Sequence, residues 1–299
     1  MTVTLATVIT EFLLRPYIAK STRRTYESTL KPILLEYGSW AIEIISKQTL
    51  TEYLNGLKDL SYTTHHKHQA ILQSLLNFAV EQGYIRVNPI RGLKQHQPNP
   101  DKGEHKTDSK VRYLTPQQLN ILYKAVKSDL RMNAIVHLLH CSGCRISELL
   151  PLNIDDIDLT KPRFQVVGKG NKLRYCYLSQ DALAALSKYI KYGRHTGVSA
   201  LFTAQQPVTK ITSRISYRTV HEDWRELISI YSDLIGVKIH DLRHTFATER
   251  VGLMGIEELR ALMGHEDIET TLRYQKVTSD RAEEVAIDAL NYLASNQSK

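Results

Sequence analysis

Hydrophobic residues in the first third of this chain recur at intervals of three and four, the period of helices with one buried face. Val8, Phe12 and Leu13 mark a first helix. Ser21 or Thr22 is the expected cap of a second, which runs through Tyr26, Leu30 and Ile33 to Gly38. Thr49 or Thr51 is the expected start of a third, with Leu50, Tyr53, Leu54 and Leu57 on one face. After a turn over 61–64, His68, Ile71, Leu72, Leu75, Leu76 and Phe78 carry a fourth toward Gly83, and Asn88 before Pro89 ends the series. Together these make a bundle of four or five helices.

The pattern then stops. Residues 94–110, KQHQPNPDKGEHKTDSK, hold no aliphatic side chain, two prolines and a glycine, and read as a linker. Thr115, Pro116 and Gln118 form a helix start with Thr as cap and Pro in the first turn, leading to a helix as far as about Ser128. A further helix covers Ala134 to His140 and reaches Gly143, and 146–150 resumes as helix. Between 154 and 179 the period changes to two. Phe164 and Val166 alternate into Gly168-Lys169-Gly170-Asn171, and Leu173, Tyr175 and Tyr177 alternate out, which predicts a hairpin with Lys169 at its tip. Helical spacing returns over 181–192 and 216–231. In 240–274, Gly264 ends one helix, Asp267 caps the next, and Tyr274 follows two turns on. Ala282, Val285, Ala286, Ala289, Leu290 and Leu293 predict a terminal amphipathic helix. The fold class is therefore mainly α with a small antiparallel β-sheet: a helical bundle over 1–93, a linker over 94–110, a mixed α+β domain over 111–274 and a tail helix over 275–299.

Charge adds a partner. The 299 residues carry a formal charge of +8 and a pI near 9.2. Residues 1–110 hold 14 Lys/Arg against 10 Asp/Glu and 111–299 hold 25 against 21, so each part is +4 and both suit one polyanion. Arg23, Arg24 and Lys67 in the bundle, and Lys172 and Arg174 in the hairpin, are the candidate phosphate contacts. No run reaches the roughly 18 apolar residues of a membrane span, and MTVTLATVITEFLLRP lacks the parts of a signal peptide. Cys141, Cys144 and Cys176 are an odd, sparse set, which suits reduced thiols in the cytoplasm; Cys141 and Cys144 read as small apolar residues one turn apart, not as half of a zinc site.

Four stretches resemble the motifs of one family, the tyrosine site-specific recombinases, also called the phage integrase family. CSGCRISELL at 141–150 is similar to the first arginine motif and places its arginine at Arg145. VVGKGNKLR at 166–174 resembles the hairpin bearing the catalytic lysine, here Lys169. HDLRHTFAT at 240–248 resembles the His-x-x-Arg motif, giving His240 and Arg243. LMGHEDIETTLRY at 262–274 resembles the last motif, giving His265 and the nucleophile Tyr274. Met263, where leucine is commoner, and Gln275-Lys276 after the tyrosine depart from the pattern without touching a catalytic position. The bundle over 1–93 matches the family's core-site-binding domain by pattern alone.

The resemblance implies a metal-independent, cofactor-free DNA strand exchange. Two domains clamp a duplex, Tyr274 attacks a scissile phosphate to give a 3′-phosphotyrosine, and a partner 5′-OH reverses the step. A homotetramer on two sites works through a Holliday junction, from a monomer or weak oligomer without DNA, with accessory proteins in some systems and with the nucleoid of a prokaryote or mobile element as its setting. The residue types suit that chemistry. Without a metal, protein cations must neutralise the phosphate, and guanidinium groups fork onto two oxygens and stay charged. A tyrosine hydroxyl, with an ordinary pKa of about 10, needs a base or a positive field. His240 accepts that proton or holds a phosphate oxygen, His265 donates to a phosphate oxygen, and the family assigns protonation of the 5′-oxygen to the hairpin lysine, here Lys169. Glu148, one turn after Arg145, is a candidate to orient His240 or an arginine. His244 is read as a packing or supporting residue; with His240 it has zinc-like spacing, but Asp241 stands where a metalloprotease needs Glu. Type IB topoisomerase-like relaxation and a non-catalytic DNA-binding regulator are the alternative readings. The tail is expected to dock on a neighbouring subunit.

Overall fold

The computed structural model describes residues 2–104, 111–168, 172–275 and 290. The chain divides into two compact units, Met1–Ser109 and Lys110–Lys299, each with its own hydrophobic core.

The first unit is built from α1 (Leu5–Leu14), α2 (Lys20–Tyr37), α3 (Lys47–Gly56) and α4 (Tyr62–Glu81). Their apolar faces meet around Val8, Phe12, Leu30, Ile33, Leu50, Leu72 and Leu75, all nearly or fully buried. The helix starts differ from the sequence reading. α2 begins at Lys20 after Ala19, with no side-chain cap, so Ser21 and Thr22 lie inside its first turn. The α3 cap is Ser46, whose hydroxyl accepts the Thr49 N–H at 3.1 Å. α4 absorbs the turn expected over 61–64, because Tyr62 and His65 are buried on the same face as His68 and Leu72. A tyrosine and two imidazoles there continue the core face in place of aliphatic residues.

The segment read as a linker is attached to α4 as far as it is described. Gln69 donates to the Lys94 carbonyl at 3.4 Å. The His66 ring is hydrogen-bonded to the His96 carbonyl at 2.8 Å, and the Glu104 carboxylate accepts the Tyr62 N–H at 2.7 Å. Such bonds are possible for a segment without aliphatic residues, because backbone carbonyls and a carboxylate are its attachment points. Residues 105–110 lie outside the described residues.

The second unit opens on α5 (Pro116–Val126), with the capping box the sequence predicts. Thr115 accepts the Gln118 N–H at 3.2 Å and Gln118 accepts the Thr115 N–H at 3.1 Å. Thr115→Ala should cost about 1 kcal/mol of unfolding free energy; denaturant titration checks this, and an unchanged midpoint would mean that the cap is dispensable. At the centre lies α6 (Leu130–Ser142). Met132, Ala134, Ile135, Val136, Leu138 and Leu139 are all buried, as in a helix surrounded by others. It packs on α5, on α8 (Gln180–Tyr192) and on α10 (Asp241–Arg250). α7 (Ile146–Leu149) follows it, α9 (Tyr217–Ser229) buries Val220, Trp224 and Ile228, and α11 (Ile256–Met263) and α12 (Ile268–Gln275) close the described part.

The sheet is β1 (Ile157–Asp158), β2 (Arg163–Val167) and β3 (Leu173–Tyr177), antiparallel in that order, with Val167 opposite Leu173 and Phe164 opposite Cys176. A second hairpin pairs β4 (Thr203–Gln205) with β5 (Thr212–Arg214). In β2 and β3 the alternation sends Phe164, Val166 and Cys176 inward and leaves Leu173, Tyr175 and Tyr177 exposed. Arg174 therefore shares the inward face. Cys144 and Cys176 are both buried, and all three cysteines are free thiols. The terminal helix expected over 275–299 lies outside the described residues apart from Gln275 and Leu290.

Candidate active site

Two glycines shape the backbone around the site. Gly143 closes α6 at φ +62°, and a Cβ there would meet the Phe246 ring at 2.3 Å. Gly264 closes α11 at φ +64°, where a Cβ would approach the Arg174 guanidinium at 2.9 Å. Each combines a left-handed conformation with close packing, so a side chain is excluded twice. Each also stops a helix shortly before a candidate site residue: Arg145 caps α7, and His265 lies in the turn before α12.

Arg145, His240, Arg243, His265 and Tyr274 line one cavity of 160 Å³, together with Val111, His244, Thr270 and Arg273. His240 is exposed at the entrance to α10; Arg243, three residues on, is only 2 % exposed. One Arg243 guanidinium nitrogen donates to the Gly143 carbonyl and another to the Met263 carbonyl at 2.6 Å. This side chain thus joins the loop that carries Arg145 to the loop that carries His265.

Glu148 braces a pair of further cations, Arg145 and Arg174. Its carboxylate accepts Arg145 Nη1 at 2.9 Å and the Arg145 backbone N–H at 2.7 Å. It also accepts both terminal nitrogens of Arg174, at 3.1 and 2.7 Å, while Arg174 Nε donates to the Leu262 carbonyl at 3.0 Å. Burial pushes the Glu148 carboxyl up, but the Arg174 bond, the Arg145 N–H and the Arg174 charge outweigh it and hold it below the ordinary range. Of the two orienting roles open to Glu148, the geometry shows the one toward arginines. Arg174 differs from the expectation of a DNA-facing cation: strand alternation turns it inward, where its fork is spent on Glu148 and a backbone carbonyl.

Tyr274 is 3 % exposed and rests on Phe246, Leu259 and Met263. Its hydroxyl lies 2.9 Å from His244 Nδ1. The His265 ring is parallel to the tyrosine ring at 6.4 Å, and its Nδ1 lies 2.8 Å from the Thr271 hydroxyl. Burial and then the Arg243 and Arg145 charges bring the His265 pKa down to about 3. Burial, then His240 and Arg243, bring His244 to about 4, and burial followed by the same arginines lowers His240. All three imidazoles are thereby neutral near pH 7, each with one N–H donor and one acceptor nitrogen. Burial raises the Tyr274 hydroxyl, against the opposing pull of Arg243, Arg273 and Arg145. The cavity can therefore take an oxyanion between guanidinium and imidazole donors, with a tyrosine oxygen at its wall.

Lys169 lies outside the described residues; its hairpin is described on both sides, and Gly168 N–H donates to the Lys172 carbonyl at 2.8 Å. Lys172 is exposed, as are Arg24 and Lys67 in the first unit, whereas Arg23 is half-buried with its Nε unpaired. Sequence reasoning did not foresee Arg273 in the cavity, the inward Arg174, or the bond between His244 and Tyr274. Strand alternation gave a signal for Arg174, since it is in phase with Cys176; the other two depend on how α10 and α12 pack.

Comparison with known proteins places these observations. Residues 112–281 match the phage integrase family. The tyrosine recombinase XerC of Natranaerobius thermophilus is 32% identical over 259 residues, 81% of this chain and 81% of that protein. Among solved structures, the Tn1549 transposon integrase in complex with a circular intermediate DNA superposes with a TM-score of 0.75 at 20% identity, covering 95% of this chain and 99% of that one. A lambda integrase tetramer bound to a Holliday junction gives 0.70 at 18% identity, covering 91% and 77%.

Proposed function

This chain belongs to the phage integrase family and is a tyrosine recombinase acting in site-specific DNA recombination, and on that footing we propose how its residues divide the reaction. Tyr274 is the nucleophile and forms a 3′-phosphotyrosine that conserves the energy of the broken phosphodiester. Arg145 and Arg243 neutralise the non-bridging oxygens, and His240 and His265 donate hydrogen bonds to them. Lys169 protonates the leaving 5′-oxygen. Glu148 and Arg174 act behind these groups and fix the direction of the Arg145 guanidinium. The observation that carries the reading is the shared cavity: Arg145, the α10 pair His240 and Arg243, His265 and Tyr274 come from four separate segments of the second unit and line one space.

DNA is the partner. Arg24, Lys67 and Lys172 contact its backbone, supported by their exposure and by the basic balance of both parts of the chain. Assembly as a tetramer on two sites is supported by the likeness to the lambda integrase tetramer on its Holliday junction. The predicted helix after Tyr274 joins neighbouring subunits. No helix among the described residues is long and apolar enough to cross a membrane, and the protein works beside the chromosome or mobile element that carries its sites.

The test begins with DNA trapped on the protein and sequenced to recover a site. A nicked duplex of that sequence, incubated in chelator, is expected to yield a covalent protein–DNA band and, with an intact partner duplex, recombinant product. Loss of the band in chelator opposes the metal-free reading. Relaxation of supercoiled DNA without strand exchange favours a topoisomerase, and binding without any covalent band favours a regulator.

A further inference from the structure

Resting on the reading of Tyr274 as nucleophile, we propose that His244 is the catalytic group that accepts the proton of the Tyr274 hydroxyl. Among the described residues, His244 is the side chain hydrogen-bonded to that hydroxyl, through Nδ1 at 2.9 Å. His240, the sequence candidate for this task, is exposed and meets His244 edge-on at 4.8 Å between ring centres, one ring removed from the tyrosine oxygen. The two histidines are four residues apart and stack along one face of the α10 start. That stacking separates their duties: the outer ring faces the phosphate and the inner ring faces the nucleophile.

The charges around His244 set its protonation state. From its own helix it faces His240 and Arg243, from α12 Arg273 and Tyr274, and across the cavity Arg145 and His265. Burial, then His240, Arg243 and Arg273, keep the imidazole neutral. A neutral ring has one acceptor nitrogen, and a base at 2.9 Å from the hydroxyl requires that nitrogen to be Nδ1, with the hydrogen on Nε2. In that tautomer the tyrosine donates to His244 before any substrate arrives.

In the step itself, the Tyr274 O–H bond breaks and its proton moves to His244 Nδ1. The oxygen electron pair forms the bond to phosphorus, and the bond from phosphorus to the 5′-oxygen breaks with its electron pair on that oxygen, which takes a proton from Lys169. The reverse transfer occurs on religation. A bound phosphodiester sets its negative charge against the guanidinium groups that depress His244, so the base strengthens when a target is in place.

The experiment uses the full chain and a nicked duplex carrying the sequence recovered from DNA trapped on wild-type protein, in two forms: one with the ordinary 5′-oxygen and one with sulfur at the 5′-bridging position. Sulfur leaves without a proton, so it rescues defects in leaving-group protonation and not defects in nucleophile activation. His244→Gln should slow covalent complex formation roughly 10²- to 10⁴-fold on both substrates, with DNA binding unchanged. The wild-type rate should fall at acid pH as His244 is protonated, and the variant should lose that acid limb. A wild-type rate for His244→Gln, or rescue by the sulfur substrate, overturns the proposal. As a readout independent of the variant's folding, nitrogen NMR of the labelled wild-type chain should show His244 neutral with hydrogen on Nε2; hydrogen on Nδ1 overturns it equally. If wild-type and Tyr274→Phe proteins form the covalent band alike, the reading of Tyr274 fails instead.

Discussion

Tyr274→Phe is expected to abolish the covalent protein–DNA complex, a loss on the order of 10⁴-fold or more for removal of a nucleophile, while leaving DNA binding within about threefold, as expected when the phosphate contacts carry affinity. The asymmetry follows from where the two parts of the side chain sit. The ring is buried against Phe246, Leu259 and Met263, and phenylalanine keeps that packing. The hydroxyl makes its hydrogen bond with His244, worth about 1 kcal/mol net, so the variant should fold and melt close to wild type. Gel analysis of the nicked duplex reads the first effect and filter binding the second. A band that survives the substitution would move the nucleophile to another tyrosine. A variant that neither binds nor folds would mean that the hydroxyl holds the α12 turn in place.

The reach of the sequence can be judged from particular residues. Helices with aliphatic faces were legible, and so was the α5 capping box, because a cap and its partner lie three residues apart. Periodicity missed the start of α4, where Tyr62 and His65 occupy core positions that a hydrophobicity pattern scores as polar. It also gave the wrong cap for α3, since Ser46, Thr49 and Thr51 are all competent and only the chain's approach from Ile45 selects Ser46. The motif residues were legible because their types and order matched a family. Their supports were not. Glu148 could be placed one turn from Arg145, but its second cation, Arg174, comes from a strand 26 residues away. The bond between His244 and Tyr274 spans 30 residues and two helices. Spacing rules operate within one element, whereas these contacts are set by packing between elements.

Arg243→Ala should have the second large effect, and it should act on rate and stability together. The guanidinium offers five N–H donors in a planar fork. Two donors are spent on the Gly143 and Met263 carbonyls, and the remaining edge lines the cavity. Burial, then the Arg145 charge, lower its pKa to about 10, which still leaves it cationic at neutral pH. Alanine removes one of the two charges proposed to neutralise the phosphate, and single-turnover formation of the covalent complex should slow by roughly 10³- to 10⁵-fold, the range seen for arginines that stabilise phosphoryl transfer. It also leaves two carbonyls without their donor, each costing about 1–3 kcal/mol where water cannot replace it. Those carbonyls stand two residues before Arg145 and two before His265, so losing the tie disorders both approaches to the phosphate. Arg243→Lys separates the contributions. It restores the charge, but one ammonium cannot span both carbonyls and the phosphate, so it should recover little of the rate. Thermal melting of the free proteins and rate measurements on the nicked duplex test both halves. An alanine variant within tenfold of wild type would show that Arg145 alone carries the phosphate, and an alanine variant of unchanged stability would show that the two loops are held by their glycine turns without the tie.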